Sequence, residues 1–152
     1  MAQQFYYGIE AYLLLLQQWV AAAFPAPRDA EHVGKLHGIW LALGNALCGS
    51  DMKKRIAFTA ATLRPTGPGR EGDPPIHALE QQLRELEKAG MQEGFLAVAL
   101  CEATEVLIAR DFPDKLDQWT QLADQFVIKE MRFSLRDDQM ASSNKVTYSP
   151  DM

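Results

Sequence analysis

Three glutamates are the residues of this sequence best suited to chemistry by type and surroundings. Glu102 and Glu105 lie in the apolar stretch "LCEATEVLI", and Glu10 lies in another, "GIEAYLLLL". If both stretches are buried helices, these carboxylates could converge on an interior. A cluster of that kind would hold a metal ion or perform acid–base chemistry. A helical-bundle enzyme or metal protein that uses Glu10, Glu102 and Glu105 is therefore one hypothesis.

The other residue types that commonly perform chemistry are not spaced for it. His32 and His37 lie five positions apart, about 140° around a helix, so one helix face cannot present both to a metal ion. The sequence contains no HxxxH, HExxH, CxxC or GxSxG pattern and no phosphate-binding loop that ends in Lys-Ser/Thr. Cys48 and Cys101 each lie among apolar residues, which predicts two buried free thiols in a reducing compartment. We expect no catalytic residue, no metal and no cofactor, and the sequence favours a protein that is not an enzyme.

Basic residues are concentrated in one segment of an otherwise acidic chain. The formal net charge is −5, yet residues 51–70 carry five basic residues against the single acidic Asp51. Such a segment could contact phosphate groups, so a nucleic-acid-associated factor is a second hypothesis. It lacks a helix-turn-helix glycine turn, zinc-ligand spacing and interleaved aromatic residues. The candidate nucleic-acid contacts are Lys53, Lys54, Arg55, Arg64 and Arg70.

Acidic and aromatic residues suggest contacts to a protein instead. Residues 71–128 carry twelve acidic residues against four basic ones. A surface of one sign attracts partners of the opposite sign. Aromatic side chains beyond the regular helix seams could supply apolar contact area. The candidate partner-binding residues are Asp111, Asp114, Asp117, Asp124, Tyr6, Tyr7 and Phe133.

The apolar stretch "AYLLLLQQWVAAAFPAP" at residues 11–27 reads as a core helix. No basic residue precedes it, as a secretion signal would require, and Gln17 and Gln18 interrupt it well before the length of a membrane span. Its apolar residues recur at alternating steps of three and four, and Pro25 ends the pattern. We expect a mostly buried helix with one polar edge, no membrane span and a cytoplasmic protein.

The same periodicity predicts an all-α, single-domain bundle of about six helices. In the second helix, Gly34, Gly38 and Ala42 form a small-residue stripe that predicts a close helix crossing. In the third, we expect Met52, Ile56, Thr59 and Leu63 to face inward, and the fifth should be central because it is apolar nearly all round. The predicted helices cover residues 5–24, 30–48, 51–63, the segment between Asp73 as N-cap and Gly90, 92–110 and 112–135.

Two further segments complete the prediction. Residues 64–75, "RPTGPGREGDPP", form a Pro/Gly-rich internal loop, and residues 137–152 form a polar C-terminal tail on a helical domain of residues 1–136. The function that these features favour is a small protein-binding module, regulatory or inhibitory, that occludes a partner protein in the manner of an immunity or adaptor protein. A homodimer is also compatible with the sequence, and nucleic acid is the less favoured partner.

Overall fold

The structure is a computed structural model that describes residues 8–64 and 70–125. Within these residues the chain forms six α-helices, one 3₁₀ turn and no strand, which confirms the all-α bundle. Tyr6, Tyr7, Phe133, residues 126–135 of the predicted sixth helix and the tail at 137–152 lie outside the described residues. The helices are α1 (Gly8–Ala23), α2 (Ala30–Cys48), α3 (Met52–Leu63), α4 (Ile76–Lys88), α5 (Glu93–Asp111) and α6 (Leu116–Asp124), with the 3₁₀ turn Pro113–Lys115 before α6.

Helices α1 and α5 form the centre of the bundle. α1 contacts α4, α5 and α6, and α5 contacts α1, α2, α4 and α6. α1 buries most of its side chains and leaves Glu10 and Gln17 exposed, so the predicted core helix with one polar edge is confirmed. The two helices are joined by a buried hydrogen bond of 2.8 Å between the hydroxyls of Tyr12 and Thr104. Desolvation raises the pKa of Tyr12, so this hydroxyl stays protonated.

An aromatic cluster holds the C-terminal end of α1 against the start of α6. The Trp19 ring contacts Trp119 edge-on, with ring centroids 6.1 Å apart, and contacts Phe24 in the same way at 5.4 Å. Phe112 completes the cluster 4.7 Å from Phe24. Because Trp19 Nε1 donates to the carbonyl oxygen of Lys115 at 3.2 Å, the indole also ties α1 to the 3₁₀ turn.

The described part of the Pro/Gly-rich loop is held against α2. Arg28 Nη1 donates to Asp73 Oδ1 at 2.6 Å and to the Glu71 carbonyl oxygen at 2.9 Å, and Trp40 Nε1 donates to the Gly72 carbonyl oxygen at 2.7 Å. The prediction that Asp73 caps the fourth helix is wrong. α4 begins at Ile76 after Pro75 and has no side-chain cap, and the Asp73 carboxylate is bound by Arg28 instead.

The close helix approach in α2 does not occur at the predicted stripe. Among the described residues, a Cβ atom at Gly34 or Gly38 would meet no neighbouring atom within 4 Å, so the expected crossing at Gly34, Gly38 and Ala42 is wrong. The close approach occurs at Gly44, where a Cβ atom would overlap the ring of Phe58 on α3. Gly44 therefore sets how closely α3 packs on α2.

Candidate protein-docking surface

Helix α3 is attached to the bundle along one narrow line. Asp51 caps its N-terminus, since the Asp51 carboxylate accepts a hydrogen bond of 3.1 Å from the Lys54 backbone N–H. Phe58 and Thr62 are the buried residues of this helix, and α2 is its principal neighbour. Lys54 Nζ also pairs with Glu85 on α4 at 2.7 Å. The side of α3 opposite Phe58 is exposed among the described residues.

The apolar residues expected to face inward from α3 face outward instead. The exposed fractions of Met52, Ile56 and Leu63 are 60%, 63% and 51%, and Thr59 is only partly buried. The prediction for these residues is wrong because α3 packs on α2 through another side of the helix. That side carries the buried residues Phe58 and Thr62, and the Phe58 ring fits against Gly44. We call Met52, Ile56 and Leu63 the docking face. Its positions i, i+4 and i+11 follow one side of the helix, the arrangement with which helices bind to apolar surfaces of other proteins.

The predicted nucleic-acid residues do not form one free basic surface. Lys54 is paired with Glu85, and Arg70 lies 3.8 Å from Asp73. Arg55 is half-buried, and within the described residues its Nε atom is buried without a hydrogen-bond partner. Lys53 and Arg64 are the exposed basic residues at the two ends of the docking face. The resulting surface is an apolar line with a basic residue at each end. It does not present the continuous row of basic side chains that would contact successive phosphate groups.

The predicted acidic partner-binding residues differ in how they are held. Arg110 donates two hydrogen bonds, of 2.8 and 2.7 Å, to the carboxylate of Asp111. This guanidinium holds the pKa of Asp111 below its usual value and compensates its charge. Asp114, Asp117 and Asp124 lie at exposed positions between the 3₁₀ turn and the end of α6. The assignment of these residues to a partner stays a prediction.

The three glutamates proposed for chemistry do not line an interior. Glu10 and Glu102 are exposed and Glu105 is half-buried, so the described residues do not bring the three carboxylates together in an interior, as this hypothesis requires. Within residues 8–64 and 70–125, no three His, Cys, Asp or Glu side chains come together as a metal site. The apolar character of α1 and α5 reflects their packing on neighbouring helices, and each glutamate takes an outer position on its helix.

The two cysteines lie in the packed interior of the bundle. The thiols of Cys48 and Cys101 are buried, as predicted, and desolvation raises the pKa of Cys48, which disfavours the nucleophilic thiolate. A small cavity of about 80 Å³ lies between α2, the end of α3 and the loop, lined by residues that include His37, Leu63 and Asp73. It is far smaller than the several hundred Å³ of a typical ligand pocket.

Two apolar residues of α5 are exposed, and Ala99 between them packs partly against the core. Phe95 and Val106 are 46% and 68% exposed, with the half-buried Ala99 between them. We call Phe95, Ala99 and Val106 the α5 outer face. The exposed Glu102 lies within it, because positions 95, 99, 102 and 106 follow one side of a helix.

Comparisons with family models, curated proteins and solved structures find no match to this chain. Within the part of the chain that the structure describes, no helix combines the length and the hydropathy that a bilayer crossing needs. The described surface is therefore interpreted from its own residues.

Periodicity groups the docking-face residues correctly but does not predict that they are exposed. The sequence shows two lines on α3, the longer through Met52, Ile56 and Leu63 and the shorter through Phe58 and Thr62. The signal that favours the shorter line is Gly44, since a glycine inside a helix permits close contact with a large ring. Gly44 and Phe58 taken together predict the observed orientation of α3, in which the Phe58 ring packs against α2.

Proposed function

We propose that this chain is a helical protein-binding module. Its docking face on α3 packs against the apolar side of an amphipathic helix of a partner protein, and that helix carries acidic residues at the edge of its apolar side. The observation that carries the proposal is the exposure of Met52, Ile56 and Leu63 on one side of a single helix. An apolar line of this kind costs free energy in water, and burying it against a partner recovers that free energy.

The charge around the docking face defines the partner further. Helix α3 and its C-cap carry Lys53, Lys54, Arg55 and Arg64 and no acidic residue. Acidic residues beside the apolar positions of the partner would pair with Lys53 and Arg64 at the ends of the face. The proposed partner surface is therefore an amphipathic helix with carboxylates at its edge.

The proposed action is regulatory or inhibitory and consists of covering the partner's surface. No catalytic step is needed for it, since a bound module blocks whatever the covered surface would otherwise contact. The proposed location is the cytoplasm, which the buried thiols of Cys48 and Cys101 support, because reducing compartments keep cysteines out of disulfide bonds.

The test begins with capture of binding proteins from a lysate of the source organism and continues with the purified captured protein. The dissociation constant of the complex between the captured protein and this chain is measured for the wild-type chain and for its double variant Ile56→Asp/Leu63→Asp. We expect binding to weaken by about 30-fold or more, because central apolar contacts dominate interface energies. The matched control Ala30→Asp/Met91→Asp adds the same two negative charges at exposed apolar positions outside the docking face and should bind like the wild type. Equal affinity of the double variant and the wild type would contradict the proposal.

A further inference from the structure

We infer that Met52 is a site of reversible oxidation, and that a sulfoxide at Met52 weakens the binding of a partner to the docking face. The inference rests on the proposed function, since it concerns the regulation of the same surface. Three properties of the described residues support it: which sulfur atoms an oxidant can reach, where Met52 lies on the docking face, and how little the packing of α3 depends on its side chain.

Met52 carries the most accessible sulfur atom of the described residues. These residues contain four sulfur-bearing side chains, those of Cys48, Met52, Met91 and Cys101. Both thiols are buried, and desolvation raises the pKa of Cys48, so little of the reactive thiolate is present. The thioethers of Met52 and Met91 belong to side chains that are 60% and 39% exposed. Because a thioether reacts without losing a proton, we expect an oxidant to modify Met52 before Met91 and before either thiol.

The reaction transfers one oxygen atom from a peroxide to the thioether. The Met52 sulfur attacks one oxygen of hydrogen peroxide, an S–O bond forms and the O–O bond breaks. The proton of the transferred oxygen passes to the other oxygen, which leaves as water. The sulfur is oxidised by two electrons and the peroxide is reduced by the same two. Methionine sulfoxide reductases, one for each sulfoxide epimer, return the thioether, so the modification is reversible.

Met52 lies where this change of polarity alters binding. It is one of the three residues of the docking face, and Ile56 follows it one helical turn later on the same side of α3. A thioether is apolar, polarisable and flexible, which suits contact with an apolar surface. A sulfoxide instead presents a polar oxygen. If the partner's apolar side covers that oxygen, it loses its hydrogen bonds to water and finds no donor, so the affinity falls.

The packing of α3 does not depend on the Met52 side chain. Phe58 and Thr62 are the buried residues of this helix, and both lie on the side that faces α2. The N-terminus of α3 is capped by the Asp51 carboxylate through the Lys54 backbone N–H, a contact that leaves the Met52 side chain free to change. In the unbound chain a sulfoxide at Met52 therefore stays in water, and oxidation alters the docking face without altering the helix that carries it.

The experiment oxidises the full chain with hydrogen peroxide, removes the peroxide with catalase and locates the sulfoxides by peptide mass spectrometry. We expect Met52 to be oxidised faster than Met91, and the dissociation constant with the purified captured protein to rise by about tenfold. The chain has six methionines, so two variants assign the effect. Peroxide should leave the dissociation constant of Met52→Leu at its own value before treatment, whereas the matched control Met91→Leu should show the same rise as the wild type. Sulfoxide reductases should reverse the rise.

Three results would overturn the inference: slower oxidation of Met52 than of Met91, an unchanged dissociation constant after complete oxidation of Met52, or an equal rise in Met52→Leu. Circular dichroism of the oxidised chain checks that the helices are retained, which is expected because Met52 is exposed. The proposed function is judged separately. A captured protein that requires Ile56 and Leu63 but is indifferent to oxidation of Met52 overturns only the inference, whereas one that binds Ile56→Asp/Leu63→Asp like the wild type overturns the proposed function.

Discussion

Helices α1 and α3 carry the same kind of apolar repeat, and the bundle uses the two repeats differently. In α1 the repeat meets α4, α5 and α6, and Leu16 and Trp19 are fully buried. In α3 the corresponding repeat leaves Met52, Ile56 and Leu63 more than half exposed, and α2 instead holds the line through Phe58 and Thr62. The comparison teaches that periodicity defines which residues share a helix face, while the neighbouring helices decide whether that face is covered.

The largest effect that tests this comparison is expected at the buried end of α1. Trp19→Ala removes the indole that contacts Phe24, Phe112 and Trp119, and we expect the free energy of unfolding to fall by about 3–5 kcal/mol. Urea unfolding followed by circular dichroism measures the change. A loss below about 1 kcal/mol would show that α1 is not the centre of the bundle.

The next effect concerns the line on which α3 packs. Gly44→Ala places a methyl group against the Phe58 ring, and the helix-forming advantage of alanine offsets only part of the strain, so we expect a net loss of about 1–2 kcal/mol. The matched control is Gly34→Ala, where the added methyl group meets no atom and stability should rise by up to about 1 kcal/mol. Equal effects of the two substitutions in urea unfolding would argue against the observed contact between α2 and α3.

A smaller effect is expected at the start of α3. Asp51→Ala removes the carboxylate that accepts from the Lys54 backbone N–H, and we expect a loss of about 1 kcal/mol. Asp51→Asn keeps a capping oxygen and should retain most of the stability. Hydrogen exchange should show the loss first in the amides of α3, because Phe58 and Thr62 are the buried residues among the twelve of this helix. Faster exchange that begins in α1 would contradict that order.

Much of the fold could be predicted from the sequence because helix periodicity and helix-ending residues are local. Pro25 ends the first helix, Asp29 caps α2 through the His32 backbone N–H, and Gly49 follows its last turn, all as the pattern indicates. The central position of α5 also follows from its composition, since a helix that is apolar nearly all round needs several neighbours.

The errors concern contacts between residues far apart in the sequence. Asp73 was predicted as a cap from its neighbouring prolines, but Arg28, 45 positions away, binds its carboxylate. The orientation of α3 depends on the fit of Phe58 to Gly44, and the exposure of Glu102 depends on which side of α5 meets its neighbouring helices. A single sequence gives the spacing along each helix, whereas these choices are made between helices.

The most direct test of the account compares two isoleucines, one on each kind of surface. Ile39 on α2 is fully buried and Ile56 on α3 is 63% exposed. Urea unfolding of the purified chain, at a concentration where it is monomeric, should show a loss of about 2–5 kcal/mol for Ile39→Ala and a change within about 0.5 kcal/mol for Ile56→Ala. A loss for Ile56→Ala as large as that for Ile39→Ala would mean that the chain itself covers the docking face, and the central claim would be wrong.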